Sequence, residues 1–125
     1  FSIIVYDSPD HDGHASGWSS PQYMEALHTL DGYIARIIEA TKRLGMYDET
    51  VFIVTADHGG TGTGHGSTSM EEMQTPFVIF GPGVKRGHEI TSAVMRYDTA
   101  PTIAYIFGAA CPDVWRGKAV REAFE

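Results

Sequence analysis

Two short stretches hold the side chains that could do chemistry. In the first, VFIVTADHGGTGTGHG (Val51–Gly66), an apolar β-branched run delivers Asp57 and His58 together, and His65 follows seven residues later between two glycines. In the second, Asp10-His11-Asp12-Gly13-His14 packs four metal-capable side chains into five residues just after another apolar run. Carboxylate and imidazole together suit a borderline divalent cation, Zn²⁺ first, with Mn²⁺, Fe or Ca²⁺ as alternatives, and no thiolate competes. Asp10, His14, Asp57, His58 and His65 make five donors, one more than a tetrahedral ion requires and fewer than two filled shells need. That count predicts two divalent ions sharing an incomplete set. Ions about 3.5–4 Å apart can clamp a phosphoryl group between an attacking and a leaving oxygen.

The elements that must position these groups are readable from periodicity. Ser2–Tyr6 reads as a buried strand broken by Asp7-Ser8-Pro9-Asp10. Gly13, Gly17 and the Ser19-Ser20 pair read the next segment as a loop. Ser20-Pro21 is a helix start, and Tyr23, Leu27, Leu30, Ile34, Ile37, Ile38 and Leu44 recur at helical spacing until Gly45 stops the helix after about six turns. Val51–Thr55 is a second strand. An apolar helix between two strands predicts a right-handed βαβ unit with a parallel pair, whose two following loops leave the same sheet edge. On that expectation Asp10 and His14 converge with the glycine-rich loop about forty residues away.

Met70-Glu-Glu-Met reads as a short helical turn or a loop, Pro76–Phe80 as a third strand and Ile90–Val94 as a small fourth. Asp98 is expected to cap a helix through Pro101–Phe107 that Gly108 closes. Pro112–Glu125 is expected to be an irregular tail anchored by Trp115, and Cys111 a small buried residue. The fold class is therefore α/β.

A formal charge of −7, with no Lys/Arg cluster, argues against a nucleic-acid surface. No apolar run approaches the roughly 18 residues of a membrane span.

Taken together, Pro9–Gly17 (PDHDGHASG), Val54–Gly66 (VTADHGGTGTGHG), Thr75–Gly87 (TPFVIFGPGVKRG) and Asp98–Gly108 (DTAPTIAYIFG) resemble the alkaline phosphatase superfamily, most closely its type I phosphodiesterase/nucleotide pyrophosphatase branch. The resemblance covers nearly the whole chain in the superfamily's order and implies part of an alkaline phosphatase-like domain, a mainly parallel sheet with helices on both faces. It implies that Asp10, His14 and His65 bind one ion while Asp57 and His58 bind another. His88 is the substitute should His65 not serve, because the branch usually draws its final histidine from further along the chain.

The resemblance also implies that these 125 residues are the carboxyl-terminal portion of one catalytic domain, with a Thr or Ser nucleophile and a further metal-binding Asp upstream. The expected activity of the whole protein is hydrolysis of a small-molecule phosphate ester, a diester or a nucleotide pyrophosphate, and the isolated chain is expected to be inactive. A sulfatase-like hydrolase of sulfate esters and a non-catalytic metal-binding remnant are the alternatives. By the same resemblance a periplasmic or secreted location is expected.

Overall fold

The structure, a computed structural model, describes residues 1–124, which divide into two compact units: 1–48 with 58–75, and 49–57 with 76 onward.

The first unit is helical. Helix α1 spans Asp10–Ser16, where a loop was expected. Its first turn carries Asp10 and Asp12 and its last turn His14, the order the helix dipole favours. Gly13 and the serines read as breakers, but the flank of Gly13 is filled by the Trp18 indole, so the missing side chain is a packing requirement here. Helix α2, Pro21–Arg43, starts where expected: Ser20 Oγ accepts from Tyr23 N at 3.1 Å, and Pro21 sits in the first turn, where its missing N–H costs nothing. Lys42 and Arg43 occupy the last turn, and Gly45 takes the left-handed conformation (φ 68°) that ends it. A single turn, α3, covers Met70–Met73.

Residues 1–6 form no strand, contrary to expectation, and their side chains lie largely in solvent, Val5 at 80 % exposure. A strand is stable only where a neighbour completes its hydrogen-bond ladder. Among the described residues no strand pairs with this segment, whose Tyr6 ring instead stacks on Tyr33 at 5.9 Å.

The second unit is built on a two-stranded antiparallel sheet, β1 (Phe52–Thr55) with β2 (Phe77–Phe80), in the register Phe52 to Phe80 through Thr55 to Phe77. Among the described residues the expected βαβ unit and parallel sheet are not observed. Helical and apolar periods report which segments are helix and strand; strand direction depends on which strands pair. Here the two that pair are joined by the 56–76 connection and meet as a wide hairpin, with Phe52 and Phe80 stacked at 4.9 Å.

Helix α4, Thr99–Ile106, packs its Pro101 and Thr102 inward. Thr102 Oγ1 donates to the Asp98 carbonyl at 2.7 Å and accepts from Val120 N at 3.0 Å, tying the helix to the last segment of the chain. Asp98 does not cap α4 through its side chain. Its two carboxylate oxygens instead accept from Met95 N and Lys118 N, each at 2.8 Å. Ile90–Val94 is not a strand. Its Thr91 and Ser92, with His88, converge on Glu122. The final segment is anchored by buried Val120 and Ala123; Trp115 is 43 % exposed, and Cys111 is exposed too. Both corrections share a cause. Apolar character alone marked Trp115 and Cys111 as interior, whereas the interior of this unit is held by a buried threonine and small residues.

Candidate metal centre

The centre lies in the first unit, between α1 and the 58–66 loop. One helical turn separates Asp10 from His14, so both project from one face of α1, with Nε2 of His14 3.6 Å from Oδ2 of Asp10. The loop opposite is pinned at its base, where Gly59 N donates to the Glu72 carbonyl at 2.8 Å. At its tip Thr61 and Gly64 exchange backbone hydrogen bonds of 3.0 and 3.1 Å, closing a tight turn. This turn returns the chain at once, so His65 comes back over His58, ring centroids 3.7 Å apart and nearly parallel. It also aims two carbonyls at α1 and its sequel: Thr63 O meets Nδ1 of His14 at 2.9 Å, and Gly62 O accepts from Trp18 N at 2.8 Å.

Three imidazoles thereby surround one carboxylate. Nε2 of His65 and Nε2 of His58 stand 3.5 and 3.8 Å from Oδ1 of Asp10. That oxygen is shut off from solvent and accepts no hydrogen bond. A buried acceptor without a donor costs about 1–3 kcal/mol, and a charged one more, so the arrangement asks for a cation at this point. One donor atom each from Asp10, His14 and His65 fit within a 4.8 Å span, the group of three among the described residues that could hold an ion. The imidazoles are turned for the task. His14 spends Nδ1 on Thr63 O and His58 spends its Nδ1 on Gly59 O at 2.9 Å, leaving both Nε2 atoms toward Asp10.

Of the five sequence-derived ligands, then, Asp10, His14, His58 and His65 come together. Asp57 belongs to the other unit, where Arg96 donates to its carbonyl oxygen. His88 is also in that unit, 3.2 Å from Glu122 Oε1.

Sequence reasoning overlooked three residues. Trp18 stands edge-on to His14 at 5.2 Å and to His65 at 5.8 Å, and its indole lies so close over Gly13 and Gly60 that a Cβ would meet it at 2.8 and 2.1 Å. Tyr23 packs beside Trp18 at 6.0 Å; burial first, and then the charge of Asp10, push its phenol pKa up. Glu72, buried, takes hydrogen bonds from Ser67 N at 3.1 Å, the Ser67 hydroxyl and the Ser69 hydroxyl at 2.6 Å. These donors, the Ser67 hydroxyl foremost, hold its carboxyl down at about 2. Ser69-x-x-Glu72 has the spacing of a capping box, which was the available signal.

Residues 1–76 match the family described as type I phosphodiesterase/nucleotide pyrophosphatase. Among curated proteins the chain is 35 % identical over 91 residues to GPI ethanolamine phosphate transferase 1 of Mus musculus, covering 71 % of this chain and 10 % of that protein. It is 33 % identical over 95 residues to arylsulfatase K of Bos taurus (72 % and 18 %), and 27 % over 103 residues to an extracellular sulfatase homologue of Drosophila melanogaster (78 % and 9 %). A solved phosphonate monoester hydrolase from Silicibacter pomeroyi superposes with a TM-score of 0.70 at 28 % identity, over 90 % of this chain and 25 % of that one. The chain thus spans about a tenth to a fifth of the curated relatives it matches.

Proposed function

Because the chain belongs to the type I phosphodiesterase/nucleotide pyrophosphatase family, within the alkaline phosphatase superfamily, we propose that the protein is a metal-dependent hydrolase of phosphate esters. This chain contributes one face of its metal centre, with Asp10, His14 and His65 as ligands and His58 alongside. The observation that carries the reading is the solvent-excluded, unpartnered Oδ1 of Asp10 among three imidazoles. Nitrogen-rich ligation favours Zn²⁺, since harder ions such as Ca²⁺ prefer oxygen throughout. When bound, Zn²⁺ supplies positive charge against the charge that develops on the ester's oxygens. A second divalent ion, with Asp57 and His58 among its ligands, rests on the family pattern alone.

The chain's own residues prepare the site. Thr63 O and Gly59 O fix the two imidazoles so that Nε2, and not Nδ1, is presented. The Trp18 indole walls one side of the His14–His65 pair. Ser67 and Ser69, two hydroxyls that follow His65 in sequence, are spent on Glu72, which argues against either as a nucleophile. The nucleophile, a Thr or Ser by family resemblance, is assigned to residues other than these 125, so the chain alone would not turn over substrate.

Small esters are the substrate class, and the acidic charge of −7 disfavours nucleic acid. Among the described residues no helix is long and apolar enough to cross a membrane. A periplasmic or secreted location draws support from the extracellular sulfatase relative alone.

Sulfate-ester hydrolysis is the second reading, favoured by the arylsulfatase relatives. The imidazole-rich donor set weighs against its calcium-type centre. Metal content after exhaustive dialysis tests the first step. The chain is expected to retain zinc near one equivalent and His14→Ala to lose it. Zinc absent from the full-length protein as well would refute the proposal. Assays of that protein on a phosphodiester and a sulfate ester then separate the two chemistries.

A further inference from the structure

We propose that Trp18 is a positioning residue for the metal centre, setting the plane of His65 and supporting that of His14. The inference rests on the metal-site reading above and goes beyond it. His14 and His58 are each held by a hydrogen bond from Nδ1 to a backbone carbonyl. Among the described residues the His65 ring has no such bond. It is held by ring contacts: His58 on its face at 3.7 Å, His14 tilted at 4.9 Å, and the Trp18 indole at 5.8 Å and 74°. The first two are themselves candidate ligands. Trp18 is therefore the contact that orients His65 from outside the ligand set.

The indole is in turn immobilised. Its backbone N–H is bonded to Gly62 O at 2.8 Å, and its rings lie against the backbone at Gly13 and Gly60, where any side chain would collide. These two glycines have φ outside the left-handed region, so their smallness is required by the indole and not by a turn. Trp18 also meets His14 edge-on at 5.2 Å and 86°. One rigid side chain, seated against Gly13 of the helix and Gly60 of the loop, thus touches two of the three imidazoles at the site. Hydrogen-bonded partners that orient metal-bound histidines from outside typically matter by about 10–100-fold in affinity, and the ring contacts of Trp18 are proposed to do the same for His65.

The experiment is zinc affinity by competition with a chromogenic chelator, together with the visible absorption spectrum of the Co²⁺-loaded chain, for wild type, Trp18→Phe, Trp18→Leu, His65→Ala and Trp18→Leu/His65→Ala. Trp18→Leu is expected to weaken zinc about 10–100-fold and to alter the Co²⁺ band shape, with Trp18→Phe restoring much of both. In the His65→Ala background, Trp18→Leu is expected to cost several-fold less, the coupling a cycle of this kind isolates. Equal affinity and spectrum in wild type and Trp18→Leu would overturn the inference while leaving the metal site standing. So would a loss of the same size with and without His65, the mark of a purely structural role. Zinc bound neither by the wild-type chain nor by the full-length protein would overturn the metal-site reading itself, and the inference with it.

Variants that misfold are recognised by far-ultraviolet circular dichroism. Against that case, Trp115→Phe leaves Trp18 as the one indole of an otherwise intact chain. Its emission is expected to be quenched as Co²⁺ is titrated in, and unchanged emission at saturation would count against contact between indole and centre.

Discussion

Two carboxylates, one in each unit, meet opposite fates. Glu122 accepts from Thr91 N and Oγ1 at 2.7 and 2.9 Å and from Ser92 N and Oγ at 3.0 and 2.6 Å, with His88 Nε2 at 3.2 Å. The Ser92 hydroxyl first, and then the amides, hold its carboxyl below the usual carboxylate range. Asp10 has histidines on three sides, yet its Oδ1 accepts nothing. Both are acids beside imidazole, and composition does not tell them apart. The hydroxyl and amide donors do: where they saturate the carboxylate it is a staple, and where they are withheld it is a socket. The comparison also bears on His88, whose ring faces the saturated acid.

The largest expected effect strikes the socket. Asp10→Asn should weaken zinc by about 100-fold or more, since it removes the ligand charge and exceeds what orienting contacts contribute. Without metal the same variant should melt no lower than wild type, because the oxygen it alters, Oδ1, accepts no hydrogen bond that would be lost. A metal-free Tm several degrees below wild type would show that Asp10 is a structural acid like Glu122. The mirror experiment is Glu122→Gln, which should lower Tm with or without zinc and leave zinc affinity within about twofold, as expected for sites that share no partner. A fall in zinc affinity comparable to that of Asp10→Asn would dissolve the distinction.

Gly60→Ala should cost less, about 1–3 kcal/mol of stability by overpacking, because its Cβ would meet the indole at 2.1 Å. Denaturant unfolding measures it, and Gly64→Ala, where nothing lies within 4 Å, is the control. Equal costs for the two would remove the indole from the account of Gly60.

This glycine shows what the sequence made legible and what it did not. Helix α2 could be placed because cap, proline, apolar stripe and terminating glycine all lie within the segment itself. Asp10, His14 and His65 could be named because donor chemistry is written in residue type. Strand direction in β1 and β2, the helical state of α1 and the exposure of residues 1–6 depend on partners distant in sequence. So does the reason for Gly13 and Gly60: the sequence reading placed both in loops, when a tryptophan elsewhere in the chain demands their smallness. A carboxylate's being satisfied or orphaned is a count of neighbours, which residue type does not carry.

The smallest effect belongs to a third carboxylate, Glu72, which sits beside the socket but is built like the staple. Its folded-state pKa is depressed from the ordinary 4.5 to about 2. The contribution it makes is therefore complete above about pH 4.5 and is lost as pH falls toward 2, when the protonated acid no longer draws the Ser67 and Ser69 donors. Because Gly59 N is bonded to the Glu72 carbonyl, this loss is expected to loosen the base of the histidine loop before the chain unfolds. Amide exchange at Ser67 and Gly59 should quicken over that interval in wild type. In Glu72→Gln, which has no carboxyl to titrate there, exchange should be faster from the start and free of that acid step. An equal step in the variant would assign the transition to another acid, and with it the claim that donor saturation marks a structural carboxylate in this unit.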